Sequence, residues 1–190
     1  VGLEGNVAVL SHPYNRSIAY VFERSGSTWT QTATIGNPWG YHSGTSELQP
    51  IAIDGGRIAI PSYGVIDLYE KIGSGWAKTQ SFFLDDDYGV GAISLSGNRL
   101  AFQNRNAYTQ NGYSVVIYEY RNGVWSRTAD LPVIDSPVGE KWEVYNFGNT
   151  LTLSGDVLVV EGQTYNSGRN GAVAVYEFSA NGWQLVTEFK

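Results

Sequence analysis

The sequence predicts an all-β chain made of four four-stranded sheets. Three observations predict it. One aromatic-Glu…Trp pattern recurs four times along the 190 residues. A tight-turn signal stands at a matching place in each copy. The composition, with 23 Gly, 13 Tyr and 6 Trp, suits a β protein with many short turns.

The recurrence is strict. The copies are Phe22-Glu23…Trp29, Tyr69-Glu70…Trp76, Tyr118-Glu119…Trp125 and Tyr176-Glu177…Trp183, with Trp always six residues past Glu. Six residues further on sits a large apolar residue: Ile35, Phe82, Leu131 and Phe189. Upstream lies a second recurrence, Gly2–Leu10, Ala52–Ile60, Ser94–Phe102 and Thr152–Val160, centred on the marker glycines Gly5, Gly55, Gly97 and Gly155. The markers are 50, 42 and 58 residues apart. A constant element with uneven spacers reads as a common scaffold carrying loops of different length.

Each unit reads as four strands in order. The first strand ends at the marker Gly, where Gly-Asn, Gly-Gly or Gly-Asp opens a hairpin turn. The second follows at once: Val7–Leu10, Arg57–Ile60, Arg99–Phe102 and Val157–Val160. A longer connection leads to the third: Ser17–Glu23, Val65–Glu70, Ser114–Tyr120 and Ala172–Phe178. A second turn, with Asn122-Gly123 and Asn181-Gly182 as its strongest signals, leads to the fourth strand, which carries the Trp. The third strands are apolar on both faces: Ala172, Ala174 and Tyr176 alternate with Val173 and Val175. A strand covered on both faces belongs to a sheet packed between other sheets. Sheets stacked radially, each covering its neighbour, form a β-propeller. The expectation is therefore one β-propeller domain over residues 1–190, with repeats at about 1–36, 48–84, 90–131 and 147–190. A two-sheet sandwich would not demand so strict a period.

Residues Tyr145–Phe178 resemble an FG-GAP repeat, the unit of the integrin α-subunit propeller and of many secreted bacterial proteins. Phe147-Gly148 supplies the "FG", and Glu161-Gly162-Gln163 stands at a degenerate "GAP" position. The segment Ala19–Trp29 is similar to bacterial members, the third unit matches from Ile93 to Leu131, and the second matches less well. The resemblance implies the propeller fold and an integrin-like, adhesion-related setting. Family propellers usually have seven blades, so three readings stay open: a four-bladed ring, part of a larger propeller, or a ring completed by another copy. Four whole sheets in 190 residues favour the first. The family's Ca²⁺ loop is not carried over: Asp85-Asp86-Asp87 is contiguous, whereas ligating carboxylates alternate. No metal and no other cofactor is expected.

Composition narrows the function classes. With 42% hydrophobic, 14% aromatic and 16% charged residues, the chain is too apolar for disorder. The net charge of −6 repels phosphate backbones and argues against a nucleic-acid partner. No apolar run approaches the ~20 residues of a membrane helix, so no membrane insertion is expected. The opening residues carry no basic-then-apolar leader; a processed leader is compatible with that. Zero Cys excludes disulfides, thiolate metal sites and Cys nucleophiles.

Catalysis has little to stand on. His12 and His42 are loop residues, and no nucleophile-elbow, zinc-protease or phosphate-loop motif occurs. The expectation is no enzyme. Glu23, Glu70, Glu119 and Glu177 recur once per unit, as a blade-building element does, and are expected to accept hydrogen bonds from turn amides. The recurring Trp residues are expected to pack.

The connections between second and third strands each carry a Tyr: Tyr14, Tyr63, Tyr108 and Tyr165. They lie 9, 8, 11 and 10 residues past the marker Gly, which places them on one face. Amides and guanidinium groups surround them: Asn15, Arg16, Asn104, Arg105, Asn106, Asn166, Arg169 and Asn170. Flat rings beside amides suit sugars, because the ring covers C–H bonds while amides satisfy hydroxyls. Packing of the Tyr over the blade edge is the competing reading, and it stays open. The connections between units add Trp39, Tyr41, Tyr88, Trp142, Tyr145 and Phe147. Phe147 reads as packing. Trp39 and Trp142 fall outside the regular Trp pattern, so the fold does not obviously need them, and rigid aromatics dominate recognition surfaces. Asn15-Arg16-Ser17 also forms a glycosylation sequon.

The leading expectation is a non-catalytic, secreted or cell-surface module that binds a glycan or a cell-surface glycoprotein. The contacts would come from Trp39, Tyr41, Trp142, Tyr14, Tyr63, Tyr108, Tyr165, Asn166 and Arg169. The alternative is a protein-interaction or adhesion module of a larger surface protein, with self-association through a ring edge.

Overall fold

The structure, a computed structural model, describes residues 1–11, 18–36, 50–62, 64–84, 90–105, 113–132, 147–163 and 171–189. Sixteen strands account for nearly all of them, in four antiparallel sheets whose order follows the chain. The first blade is β1 (Gly2–Glu4), β2 (Val7–Ser11), β3 (Ile18–Ser25) and β4 (Thr28–Gly36). The second is β5 (Ala52–Asp54), β6 (Arg57–Ser62), β7 (Val65–Ile72) and β8 (Gly75–Phe83). The third is β9 (Ile93–Ser96), β10 (Arg99–Arg105), β11 (Tyr113–Arg121) and β12 (Val124–Pro132). The fourth is β13 (Leu151–Ser154), β14 (Val157–Gln163), β15 (Gly171–Ser179) and β16 (Gly182–Phe189). The expected strands are all present, with the second and third strands a few residues longer than the pattern alone sets.

The turns obey backbone sterics. Gly5, Gly55, Gly97 and Gly155 carry φ of +53°, +59°, +56° and +58°, where a side chain would be strained. That is why the marker is glycine in every blade. Asn122 and Gly123 both take positive φ, at 53° and 84°, as a two-residue hairpin turn asks. At Asn181-Gly182 only Gly182 does, at 85°. There the glycine sits one place later, paired with Ser179 at the start of β16.

A register shift interrupts the pairing of third and fourth strands at one place in every blade. It falls between Val21 and Phe22, Leu68 and Tyr69, Ile117 and Tyr118, and Val175 and Tyr176. The extra residue on the outer strand is Thr32, Thr79, Thr128 or Val186. Such a bulge bends the strand and increases its twist. The aromatic-Glu pair therefore marks the point where each blade twists.

The chain divides into two units, Val1–Gly89 and Val90–Lys190, each holding two blades. In the first unit Val9, Ala19, Val21 and Ile35 of blade 1 pack against Ile51, Ile58, Ile60 and Tyr69 of blade 2. Gly2 lies so close to Ile53 that a Cβ there would stand 2.8 Å from its Cγ2. In the second unit Ala101, Val115, Ile117 and Leu131 of blade 3 pack against Phe147, Leu153, Leu158, Tyr176 and Trp183 of blade 4. Within each unit, one face of the first blade thus mates with the opposite face of the second.

Two expectations about packing are corrected. Trp125 and Trp183 are buried, Trp76 is half-buried, but Trp29 is 40% exposed. In β15, Ala172, Ala174 and Tyr176 are buried, while Val173 and Val175 are only part-buried. Both exceptions lie on a blade face that no other blade of its own unit covers.

Candidate functional site

The strand order fixes which connections share an end of a blade. In an antiparallel meander the first-to-second and third-to-fourth turns lie at one end. The second-to-third connection lies at the other, beside the start of the first strand and the finish of the fourth. The marker-glycine turns and the Trp hairpins thus share one end. At the opposite end the chain leaves at Ser11, Ser62, Arg105 and Gln163 and returns at Ile18, Val65, Tyr113 and Gly171. The chain also passes from blade to blade at that end, after Gly36, Phe83 and Pro132. The two groups of candidate segments are separate in the sequence. The topology attaches both to the same end of their blades.

The candidate contacts themselves, Trp39, Tyr41, Trp142, Tyr14, Tyr63, Tyr108, Tyr165, Asn166 and Arg169, lie outside the described residues, as do His12, His42 and Asp85-Asp86-Asp87. Two flanking residues are described. Asn104 is buried within β10 opposite Ser114, so it belongs to the sheet and not to an exposed amide rim. β10 continues to Arg105. Phe147 is buried, as packing requires, and its carbonyl accepts a hydrogen bond from Gln103 Nε2 at 2.6 Å. Gly148 follows with φ +78°, and its N–H donates to the Glu161 carbonyl at 2.8 Å. Gln103 is fully buried and ties the start of blade 4 to β10 at the candidate end of the blades. Neither motif nor spacing singles it out, although a Gln directly after Leu100, Ala101 and Phe102 is a polar residue in a buried strand.

The opposite end is held by charge. Among the described residues, no turn amide donates to the repeated Glu. Glu70 accepts from Arg57 Nε at 2.7 Å and Glu119 from Arg99 Nε at 2.9 Å, across the directly paired positions of second and third strands. Glu119 is fully buried and also pairs with Arg121. Arg99 reaches blade 4 as well: it donates to the Gly155 carbonyl at 2.8 Å and to Asp156 at 2.6 Å, and lies 4.2 Å over the Phe178 ring. Blade 1 has Val7 where these blades have Arg, and there Glu23 accepts from Lys71 of blade 2 at 2.6 Å. That hydrogen bond holds the Glu23 carboxyl below its ordinary range. Turn amides are capped instead by the residue before the marker: Gly55 N–H donates to Glu4 at 2.8 Å and Gly155 N–H to Ser96 Oγ at 2.9 Å. The Lys71–Glu23 and Arg99–Asp156 pairs and the two turn-amide bonds join neighbouring blades within a unit.

Comparison with solved structures decides the fold class. A mutant of the Aleuria aurantia lectin AAL in complex with Fucα1-6GlcNAc superposes with a TM-score of 0.53 at 17% identity, over 92% of this chain and 54% of that one. The fold is the β-propeller. The N-terminal domain of Nup159 matches at a TM-score of 0.38 and 13% identity, over 95% of this chain and 57% of that one. The chain spans about half the length of the solved structures it matches. At such identities the likeness speaks to fold alone. No protein-family model matches the chain, and a search of curated proteins returns no match. The FG-GAP resemblance therefore rests on the residues quoted for it.

Proposed function

We propose that this propeller is a non-catalytic glycan-binding module acting in an extracellular setting, with its contacts in the connections at the candidate end of the blades. The observation that carries the reading is the shared placement. Every aromatic singled out for sugar contact (Tyr14, Trp39, Tyr41, Tyr63, Tyr108, Trp142 and Tyr165) falls in a segment attached to that end. The likeness to a lectin propeller solved with a fucosylated disaccharide supports the same chemistry. Sugar recognition needs apolar plates for C–H faces and fixed donors for hydroxyls, and these segments are rich in Tyr, Trp, Asn and Arg. Similar segments on several blades supply several weak sites, and a clustered glycan engages them together.

A glycan array followed by calorimetric titration tests this, with Fucα1-6GlcNAc among the first probes. Binding is expected, with Trp39→Ala and Trp142→Ala each weakening it by about tenfold, the loss of one stacked aromatic anchor. A folded chain that retains no glycan would overturn the proposal.

A further inference from the structure

The side chain of Gln103 fills a space made by two glycines. A Cβ on Gly91 would stand 1.8 Å from Gln103 Oε1 and 2.7 Å from its Cδ. A Cβ on Gly148 would stand 3.3 Å from Gln103 Cβ and Cγ, and 3.0 Å from Val115 Cγ2. The amide's orientation follows from its partner. Nε2 donates to the Phe147 carbonyl at 2.6 Å, and the reversed amide would set oxygen against oxygen. Oε1 is buried and has no hydrogen-bond partner among the described residues. A buried acceptor left unpaired costs stability, which an apolar side chain would avoid. What the amide gains in return is the tie to Phe147.

The repeat does not ask for this tie. Six residues past the marker Gly stand Ser11, Pro61, Gln103 and Glu161, four different residues. Six residues before it stands Gly91 in blade 3 but Asn149 in blade 4. The arrangement belongs to the junction of blades 3 and 4, inside one unit.

The tie joins the roots of two connections. Gln103 lies two residues before the finish of β10, and Tyr108 stands three residues past that finish. Phe147 stands five residues after Trp142, where the chain enters blade 4. Backbone bonds from the Gly148 N–H to the Glu161 carbonyl at 2.8 Å, and from the Glu161 N–H to the Thr150 carbonyl at 2.9 Å, fix that entry on β14. The Gln103 N–H donates to the Ala92 carbonyl at 2.9 Å, which fixes β10 on the chain leading into β9. With the backbone held on each side, one side-chain bond sets one root against the other.

We infer that Gln103 is a positioning residue of the proposed glycan site, setting the root of the Trp142 connection against the root of the Tyr108 connection. The inference rests on the glycan-binding reading and adds to it. Gln103 is fully buried, so it acts through the two connections rather than on the ligand. A ligand that uses aromatics from both connections then loses less ordering entropy on binding.

Calorimetric titration tests this, with Fucα1-6GlcNAc or the tightest binder on a glycan array as probe. It is run on the unaltered chain, Gln103→Ala, Gly91→Ala, the double variant, and Gln103→Ala combined with Trp142→Ala or with Trp39→Ala. Circular dichroism confirms the fold of each. Gly91→Ala keeps Gln103 and displaces its amide, so it carries the test if Gln103→Ala does not fold. Each single variant at 91 or 103 is expected to weaken binding about fivefold, the worth of one hydrogen bond. The double variant should lose no more than Gln103→Ala, because a methyl at 91 then meets only the exposed Asn149 side chain. Gln103→Ala should add little to Trp142→Ala, yet keep its full effect beside Trp39→Ala, which lies in the other unit. A general loss of stability would act on both combinations alike. Single variants that bind like the unaltered chain, or a loss that adds in full to that of Trp142→Ala, overturn this inference alone. An unaltered chain that binds no glycan overturns the reading beneath it, and the inference with it.

Discussion

Gly155 and Gly75 both have open space where a Cβ would go, yet only Gly155 has a left-handed φ, +58°. Sterics therefore separate them. Gly155→Ala is expected to lower stability by about 1 kcal/mol, and Gly75→Ala to leave it unchanged or slightly raised. Urea unfolding reads the difference, and equal effects would show that backbone strain is not what fixes the marker. The Arg–Glu pairs separate the same way by burial. Arg99→Met leaves the fully buried Glu119 with a single cation and removes the link to Asp156, so a loss of about 3 kcal/mol is expected. Arg57→Met faces Glu70, whose side chain is 27% exposed, and should cost less than about 1 kcal/mol. The sequence displays both pairs as equivalent repeats. Burial distinguishes them, and burial depends on what the neighbouring blade supplies.

At the scale of the strands, periodicity and turn chemistry were enough to place all sixteen, because each hairpin carries its own glycine signal and each strand its own alternation. The bulge beside every aromatic-Glu pair was not legible. One extra residue on the outer strand preserves the Glu-to-Trp spacing while changing which residues face each other. The partner of the repeated Glu was missed for a related reason. The pairing of Arg57 with Glu70 and Arg99 with Glu119 follows from register, which no spacing within one strand reveals. The third strands also carry buried phenols with a consequence for pH. Burial, reinforced by the Glu188 charge, pushes the Tyr176 phenol up to about 12, and burial also raises Tyr69. Both favour the neutral form in the folded state. Their contribution is complete below the ordinary phenol value of 10.0 and is lost as pH rises toward about 12. Denaturant midpoints should fall across that window, and Tyr176→Phe should flatten the fall; an unchanged slope would remove Tyr176 from the account. At the acid end Glu23 behaves oppositely. Its lowered value means the Lys71 contact is present above 4.5 and is lost as pH falls through the folded value. Glu23→Gln should make that small acid loss smaller.

For the whole molecule, the fold class was legible in the repeat, since four matched meanders leave few other ways to bury two-sided strands. The candidate site was legible only as a set of segments. Aromatics and amides in connections announce recognition, but their mutual geometry depends on loop conformation, which neither periodicity nor strand register encodes. The topology adds that the segments chosen from two different parts of the repeat share one end of the blades. The other end is occupied by ion pairs and glycine turns that hold neighbouring blades together.

Amide hydrogen exchange with and without a bound glycan tests the central claim most directly. The account predicts protection in residues 12–17, 37–49, 106–112, 133–146 and 164–170, and none at the turns around Gly5, Gly55, Gly97 and Gly155. Protection centred on those glycine turns, with the connecting segments unchanged, would contradict it.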